Sequence, residues 1–274
     1  MATDAGFMGS KTSVAAMYFS PTGTTQRVVA RIAEAVSDAI CPGKAPAHRD
    51  FTLPRARSEP ASFGEGEIVV VGVPVYAGRV PKVLLEYLGT LRGNGALAVA
   101  VVVYGNRDYD DALLELADLL ESGGFLVVAA AAFIGEHSYS QAVAQGRPDD
   151  DDLALATEFA ARVSTKLSGA VPIEKAVVKG SRPYRELAVS IDLSNAKPQT
   201  SSACQECKQC VDVCPMGSID PDDVSRVDGI CIRCNACVKT CPSGARSFSD
   251  SDYLIVKRWL ESHCAQRRTP ELFL

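Results

Sequence analysis

The sequence contains no apolar run long enough to cross a membrane and no excess of basic charge. Its longest apolar runs, Leu97 to Tyr104 and Leu126 to Ile134, are far shorter than the roughly 20 residues of a membrane-spanning helix. Residues 1–12 have no apolar segment of signal-peptide length. The 28 Lys and Arg against 33 Asp and Glu give a net charge of −5, whereas a nucleic-acid-binding surface needs clustered basic residues. We therefore expect a cytoplasmic protein that binds neither membranes nor nucleic acid.

Sequence motifs for binding nucleotides are also missing. No GxGxxG follows the first predicted strand. The segment GFMGSKT at residues 6–12 lacks the spacing of a nucleotide-binding P-loop and precedes that strand instead of following it. A bound dinucleotide is therefore not expected at the first strand–helix turn.

Cysteine, in contrast, is abundant and unevenly placed. Eight of the ten cysteines fall within residues 204–241, in the runs CQECKQCVDVCP and CIRCNACVKTCP. Each run has the spacing C-x2-C-x2-C-x3-C-P, which is typical of cubane iron–sulfur clusters. Structural zinc sites usually use two separated pairs of ligands, and disulfide frameworks are typical of short secreted chains. Both alternatives explain the pattern less well than two clusters do.

Two 4Fe–4S clusters are predicted, with one ligand exchanged between the runs. In two-cluster ferredoxins the fourth cysteine of each run binds the other cluster. The first predicted ligand set is Cys204, Cys207, Cys210 and Cys241. The second is Cys231, Cys234, Cys237 and Cys214. The two cysteines outside the runs, Cys41 and Cys264, are expected to be small buried residues.

The N-terminal part alternates short apolar runs with amphipathic segments. Strands are predicted at 14–19, 67–75, 96–104 and 125–134, with a weaker one near 48–51, and helices at 24–40, 81–91, 108–124 and 149–167. Such alternation is typical of a parallel sheet covered by helices on both faces. Five strands in about 155 residues suit a flavodoxin-like doubly wound α/β sheet with the order 2-1-3-4-5. Ligands of such sheets bind beyond the carboxyl ends of the strands, so functional residues are expected in the loops there.

The loop after the first strand has the features of an anion site. It reads SPTGTT, and its candidate binding residues are Ser20, Thr22, Gly23, Thr24 and Thr25. Backbone N–H groups at a helix N-terminus point outward and favour negative charge, and the hydroxyls can donate to phosphate oxygens. The alternative is ordinary N-capping, for which Ser and Thr are preferred.

SPTGTT after an apolar strand resembles the loop of flavodoxins that binds the FMN phosphate. The same resemblance places two further loops beside the isoalloxazine ring. Their candidate residues are Pro74, Val75, Tyr76, Ala77 and Gly78 in one loop, and Tyr104, Gly105, Asn106, Arg107 and Tyr109 in the other. Tyr76 and Tyr109 could stack on the flavin or be half-buried loop residues, and the two glycines allow the backbone to approach the ring.

Taken whole, the chain resembles flavodoxin–ferredoxin fusion proteins. The resemblance includes SPTGTT, PVYAGRVP, YGNRDYDDAL, AFIGEHSYS, the SRPYRE segment, both cysteine runs and the tail RRTPELFL. It implies one FMN and two 4Fe–4S clusters in one chain. The expected organisation is a disordered or extended N-terminus (1–12), an FMN-binding flavodoxin-like domain (13–168), a linker (169–200), a small α+β bacterial-type ferredoxin domain (201–250), and a C-terminal helix and tail (251–274).

An electron-transfer iron–sulfur flavoprotein is the expected function. Flavins exchange one or two electrons and each cluster exchanges one, so the chain would couple both kinds of carrier. A redox partner protein is expected, and electrons could pass within one chain or across a homodimer. The alternative is an FMN-dependent reductase of a small molecule, in which Arg79, Arg107 and His137 would orient the substrate; His137 could equally be a polar loop residue. A redox or oxygen sensor is the third alternative.

Overall fold

A computed structural model describes residues 13–169, 172–185 and 191–274. The expected extension at 1–12 and parts of the expected linker lie outside the described residues. The strands are β1 (Ser13–Tyr18), β2 (Ala47–Asp50), β3 (Glu67–Pro74), β4 (Leu97–Tyr104), β5 (Leu126–Ile134), β6 (Gln199–Thr200), β7 (Arg246–Ser247) and β8 (Glu271–Phe273). The helices are α1 (Thr24–Ile40), α2 (Leu85–Thr90), α3 (Ala112–Ser122), α4 (Asp150–Ser168), α5 (Gln209–Asp212), α6 (Ala236–Lys239) and α7 (Ser251–His263). Two 3-10 turns span Pro54–Arg57 and Lys82–Leu84.

The large sheet has the order β2-β1-β3-β4-β5-β8. Its first five strands are parallel, and their order is that of the flavodoxin-like fold, as predicted. The central strands are rich in Val and Ala and are buried along their length, because a parallel sheet with helices on both faces has no solvent-exposed side.

Alternate side chains of the central strands supply two separate cores. Val71 and Val102 point into a core shared with α2 and α3, while Val70 and Val101 point into a core shared with α1 and α4. The alternation follows from the two-residue period of a strand. The result is a three-layer sandwich in which the loops after β1, β3, β4 and β5 meet at one edge of the sheet.

Close packing of α1 on the sheet depends on Gly72 in β3. A Cβ atom at this position would lie 2.2 Å from Cγ2 of Val29 and 3.1 Å from Cγ2 of Thr25. The missing side chain lets the first turns of α1 approach the sheet, which fixes the position of the SPTGTT loop.

Two of the predicted helices are shorter than the sequence pattern indicates. The segment predicted as a helix at 81–91 is divided into the 3-10 turn Lys82–Leu84 and α2. Helix α3 begins at Ala112 rather than 108, because Asp110 has a φ of +43° and its N–H donates to Oδ1 of Asp108 in a tight turn.

The C-terminal tail adds a sixth strand that the sequence did not predict. Strand β8 pairs antiparallel with β5, with Leu272 opposite Ala131. The sequence pattern therefore predicted five strands for a sheet that has six. Three residues are too few to give a recognisable strand period, and their partner lies about 140 residues earlier in the chain.

Part of the expected linker is bound along α3. The Ser181 and Arg185 N–H groups both donate to the carboxylate of Asp111, and Arg182 forms an ion pair with Asp118. The segment 172–185 thus lies against the first domain before the chain enters the cysteine-rich domain. That second domain contains the β6–β7 pair and the short helices α5 and α6.

Candidate functional site

The SPTGTT loop forms a tight turn between β1 and α1. Gly23 is the N-cap residue and has a left-handed φ of +81°, a conformation that glycine adopts without steric cost. The Gly23 N–H donates to the carbonyl of Ser20 at 3.2 Å. The Ser20 hydroxyl accepts a hydrogen bond from the Gln26 N–H at 3.0 Å. Ser20 therefore performs part of the capping role that the sequence left open as an alternative.

The hydroxyl of Thr25, in the first turn of α1, has no such capping role. Its side chain is 1% exposed, and its Oγ1 has no hydrogen-bond partner among the described residues. A buried hydroxyl without a partner is unfavourable by about 1–3 kcal/mol. An anion bound at the start of α1 would supply the missing acceptor, so the loop fits a phosphate group.

The loop after β3 folds back on itself in a two-residue turn. The N–H of Tyr76 donates to the carbonyl of Arg79 at 3.0 Å, and the N–H of Arg79 donates back at 3.1 Å. Ala77 and Gly78 between them have φ values of +52° and +76°, as in a type I′ turn. A Cβ atom on Gly78 would lie 2.2 Å from Oδ2 of Asp110. The glycine therefore lets this turn contact the loop that follows β4.

Arg79, which the sequence suggested as a candidate for orienting a substrate, is paired with a carboxylate in this structure. Its Nε and Nη2 donate to the Glu115 carboxylate at 2.8 and 2.6 Å, and its guanidinium lies over the Tyr184 ring, 4.7 Å from the centroid. This bidentate pair anchors the turn to α3 and to the segment before the second domain.

The loop after β4 binds the C-terminal tail. The buried Asn106 amide donates to the carbonyls of Cys264 and Gln266 at 2.7 and 2.8 Å, and its oxygen accepts from the Arg268 N–H at 3.3 Å. The Asn106 side chain was expected to contact a flavin, but its polar atoms are committed to the tail. The sequence could not show this because the partners are about 160 residues away.

Tyr109 likewise belongs to the packing of the tail. It is 2% exposed, its ring packs against Tyr104 with centroids 5.6 Å apart, and its hydroxyl donates to the Glu271 carboxylate at 2.9 Å. The ring thus packs against Tyr104 and the tail in this structure, and its stacking on a flavin stays a prediction. Tyr76, the other candidate for stacking, is partly buried in the turn after β3.

Arg107 is paired within its own loop. Its Nη2 donates to the carboxylate of Asp110. Since Asp110 also lies against Gly78, the pair closes the loop after β4 against the turn after β3. Like Arg79, Arg107 was a candidate for binding a substrate, and its charge is neutralised by a neighbouring carboxylate.

His137, on the loop after β5, is a neutral histidine. Burial lowers its pKa to about 4, and the positive charges of Lys239 and Arg107 contribute in the same direction. Its Nδ1 accepts the Tyr139 N–H at 3.0 Å, so the ring proton is carried by Nε2. A Cβ atom on Gly105 would lie 2.4 Å from the His137 ring. The imidazole is thus packed on the backbone of the loop after β4.

The thiols of the second predicted ligand set line one cavity in the cysteine-rich domain. They come from both runs: Cys214, Cys231, Cys234 and Cys237. Burial raises the pKa of Cys234 to about 12, and the other three thiols contribute in the same direction. Four thiolates in such a place need positive charge to balance them, which fits an iron–sulfur core. The structure thus brings Cys214 to the cysteines of the other run, as the exchanged ligand pattern predicts.

The first predicted ligand set lies nearer to solvent. Cys207 is exposed and Cys204 is partly exposed, whereas Cys210 is buried. All ten cysteines are free thiols, and Cys41 and Cys264 are buried as expected. No group of three or more His, Cys, Asp or Glu side chains in the described parts of the chain is placed to hold a single metal ion.

The second cysteine run lies directly against the loops of the first domain. Burial raises the pKa of the Tyr76 phenol well above its usual range, and Cys234, Tyr139 and Cys231 are the neighbouring groups that raise it further. Ile232, between these two cysteines, packs against the core of the sheet. The turn after β3 and the second ligand set are therefore immediate neighbours.

Three further contacts fix this arrangement, and none of them was predicted. Lys239, between Cys237 and Cys241, forms an ion pair with Glu136 in the loop after β5, with Nζ and Oε1 2.6 Å apart. Arg57 donates to the carbonyl of Pro215 at 2.6 Å. The Ser140 hydroxyl donates to Glu261 on α7, also at 2.6 Å. A lysine between two cluster ligands is a visible signal, but its partner is about 100 residues away.

Comparison with protein-family models supports the assignment of the second domain. Residues 203–245 match the family described as a 4Fe-4S dicluster domain. Comparison with curated proteins gave no match. The match covers all eight cysteines of the two runs, so this part of the chain is a 4Fe–4S dicluster domain.

Several solved structures resemble the first domain. A flavodoxin from the domain Archaea is 15% identical, with 57% of this chain and 99% of that chain covered and a TM-score of 0.38. A flavodoxin from Streptococcus pneumoniae is 19% identical, with 56% and 99% covered and a TM-score of 0.38. The flavodiiron core of Flv1 from Synechocystis is 19% identical, with 60% and 38% covered and a TM-score of 0.40.

Strand order, rather than these similarities, defines the first domain as flavodoxin-like. The chain therefore joins a domain with the flavodoxin-like fold to a 4Fe–4S dicluster domain. This combination is that of the flavodoxin–ferredoxin fusion proteins that the sequence resembles. No helix in the described residues is long and apolar enough to cross a membrane.

Proposed function

We propose that the protein transfers electrons between one FMN and two 4Fe–4S clusters held in the same chain. The relay has a fixed order. FMN lies at the loops of the first domain, followed by the proximal cluster and then the distal cluster. We define the proximal cluster by its ligands Cys214, Cys231, Cys234 and Cys237, and the distal cluster by Cys204, Cys207, Cys210 and Cys241.

The observation that carries this proposal is the contact between the turn after β3 and the second cysteine run. Tyr76 lies beside Cys231 and Cys234, and Ile232 between them packs on the sheet. A flavin bound along Tyr76 would lie next to the proximal cluster. Electron transfer between the two groups then needs no movement of the domains.

Residues of the chain fit an FMN at this place. The start of α1 and the hydroxyl of Thr25 would bind the phosphate, with Gly23 giving the turn its left-handed conformation. Tyr76 and the turn at Ala77 and Gly78 would hold one side of the ring system. When bound, FMN supplies exchange of one or two electrons, which the single-electron clusters cannot provide alone.

The distal cluster is the one that exchanges electrons with an external partner. Its ligand Cys207 is exposed, whereas the proximal ligands Cys234 and Cys237 are buried. We propose that a redox partner protein docks at the side of Cys207. The exposed residues around it include Glu206 and Lys208, so this side has no strong charge of one sign.

A substrate reductase is supported less well. Of its three candidate residues, Arg79 and Arg107 are paired with Glu115 and Asp110. His137 alone is not part of an ion pair in the described structure, and it is neutral. It could offer an Nε2–H donor to a bound group, but it could not act as a proton-carrying acid near neutral pH.

Cofactor analysis of anaerobically purified protein tests the proposal. We expect about eight irons and one FMN for each chain. Reduction of the clusters by an external one-electron donor should precede reduction of the flavin. A chain that holds four or fewer irons after full reconstitution, or a protein that binds no FMN, would contradict the assignment.

A further inference from the structure

Arg246 is a buried cation that the relay described above does not use. It follows the second cysteine run in the sequence CPSGARSF and lies in β7. Arg246 is 3% exposed. Its neighbours Ala245 and Phe248 are buried apolar residues, so a charge is unexpected at this position.

Among the described residues, the Arg246 guanidinium has hydrogen-bond partners at one of its three nitrogens. Nη1 donates to Oγ1 of Thr200 at 3.0 Å and to the carbonyl of Val224. Nε and Nη2 are buried and have no hydrogen-bond partner within the described ranges. The equally buried Arg147 differs, because its charge is neutralised by the carboxylate of Asp152.

An unpaired buried charge destabilises a fold by several kcal/mol, so Arg246 needs a source of negative charge. Thiols of the two predicted ligand sets can supply it. Nη1 lies 4.0 Å from Sγ of Cys210, a ligand of the distal cluster. The charge of Arg246 is also the largest factor that lowers the pKa of Cys210 and of Cys237 against the dominant effect of burial. Cys237, a ligand of the proximal cluster, packs with Cys210 in one buried cluster of side chains, so the guanidinium lies beside thiols of both ligand sets.

We propose that Arg246 is the shared counter-charge of both clusters and raises the reduction potential of each. A cubane cluster with four thiolate ligands is anionic and gains a further negative charge on reduction. A fixed cation a few ångströms away in a dry environment stabilises the reduced form more than the oxidised form. Because the same cation lies beside ligands of both clusters, it shifts both potentials in the same direction. This inference rests on the two-cluster part of the proposed function and is independent of the flavin and of the direction of electron flow.

A redox titration of both clusters, followed by electron paramagnetic resonance, tests this role. The variants are Arg246→Met, which keeps the length of the side chain but removes its charge, and Arg246→Lys, which keeps a charge. The control is Arg226→Met in the same domain, since Arg226 is more than half exposed and pairs with surface carboxylates. Iron content is measured first in every protein, and wild-type protein with fewer than about eight irons would indicate failure of the cluster assignment itself.

In Arg246→Met we expect the equilibrium constant for one-electron reduction to fall at least tenfold for both clusters, or about 59 mV for each. The Lys variant should stay within about threefold of wild type, and the control should not change. Fully loaded Arg246→Met with wild-type potentials, or with a shift in one cluster alone, would overturn the proposal.

If the Met variant loses its clusters, the Lys variant tests the proposal in its place. A Lys variant that is loaded and has near-wild-type potentials would support the need for a cation. A Lys variant that is empty as well would mean that the shape of the guanidinium, rather than its charge, is required, and the proposal would be wrong.

Discussion

The ring of Tyr139 stacks on the ring of Tyr253, with centroids 4.4 Å apart and planes 29° from parallel. Tyr139 belongs to the loop after β5, and Tyr253 belongs to α7, which follows the dicluster domain. The Tyr253 ring also stacks on Phe248, and its hydroxyl donates to Asn235 between two cluster ligands. This stack therefore connects a loop of the first domain to the framework of the proximal cluster.

Replacing Tyr139 with alanine should loosen this connection. Loss of a packed aromatic ring destabilises a protein by about 3–5 kcal/mol, so we expect a lower midpoint of chemical denaturation and slower electron transfer between the clusters and FMN. Tyr139→Phe, which keeps the ring, should transfer electrons at nearly the wild-type rate. Both quantities can be measured on fully loaded protein. Equal transfer rates in the Ala and Phe variants would show that the stack does not hold the two sites together.

Thr25→Val should weaken FMN binding without destabilising the protein. The substitution is nearly isosteric, and the Thr25 hydroxyl that it removes has no partner among the described residues. A hydrogen bond to a charged group contributes about 1.5–3 kcal/mol, so the Kd for FMN should rise roughly 10- to 100-fold. Fluorescence titration of the flavin-free protein measures this change. Thr157→Val, at an exposed position on α4, is the matched control, and equal affinities in both variants would place the phosphate elsewhere.

Serine substitutions of the fourth cysteines should show the exchange of ligands between the runs. Cys214→Ser should disturb the same cluster as Cys237→Ser, because both thiols line one cavity. Cys241→Ser should instead disturb the same cluster as Cys210→Ser. The two clusters can be followed separately by their paramagnetic resonance signals. If Cys214→Ser resembled Cys210→Ser, each run would hold its own cluster and the assignment of the proximal cluster would be wrong.

Stability should fall with decreasing pH between about 6.5 and 4 because of His137. Its pKa is about 4 in the folded protein, against a usual value of 6.5. In this range the unfolded chain binds a proton at His137 and the folded protein does not, so the free energy of unfolding falls as pH falls, by roughly 1.4 kcal/mol per pH unit. Above about pH 6.5 the contribution is constant.

Denaturation at pH 7 and pH 5 tests this dependence in three proteins. The free energy of unfolding that is lost between pH 7 and pH 5 should be smaller in His137→Gln than in wild type. In His48→Gln, which alters an exposed histidine on β2, this loss should equal that of wild type. Acid sensitivity of the clusters is common to all three and cancels in the comparison. An identical acid loss in wild type and His137→Gln would contradict the burial of a neutral imidazole.

Local sequence pattern was sufficient for the parallel sheet and for the 4Fe–4S dicluster domain. Long valine- and alanine-rich runs separated by amphipathic helices leave few alternatives to a doubly wound sheet. The repeated cysteine spacing is by itself typical of iron–sulfur cluster binding. The position of Cys214 beside the cysteines of the other run is also what the exchanged ligand pattern predicts.

The rest depended on contacts between distant parts of the chain. Asn106 and Tyr109 looked like flavin contacts because of their position after β4, yet both bind the C-terminal tail. Strand β8 is too short to be recognised by its period. Arg246 was visible as a charge after the second cysteine run, but only its burial beside thiols of both ligand sets indicates what it does.

The central claim is that FMN and the clusters of one chain exchange electrons through the proximal cluster. Rapid anaerobic mixing with a one-electron donor, with flavin and cluster absorbance recorded separately, measures this most directly. We predict cluster reduction followed by flavin reduction at a rate that does not change with protein concentration, and loss of the second phase in Cys234→Ser. A flavin phase whose rate rises in proportion to protein concentration, or one that persists in Cys234→Ser, would contradict the account.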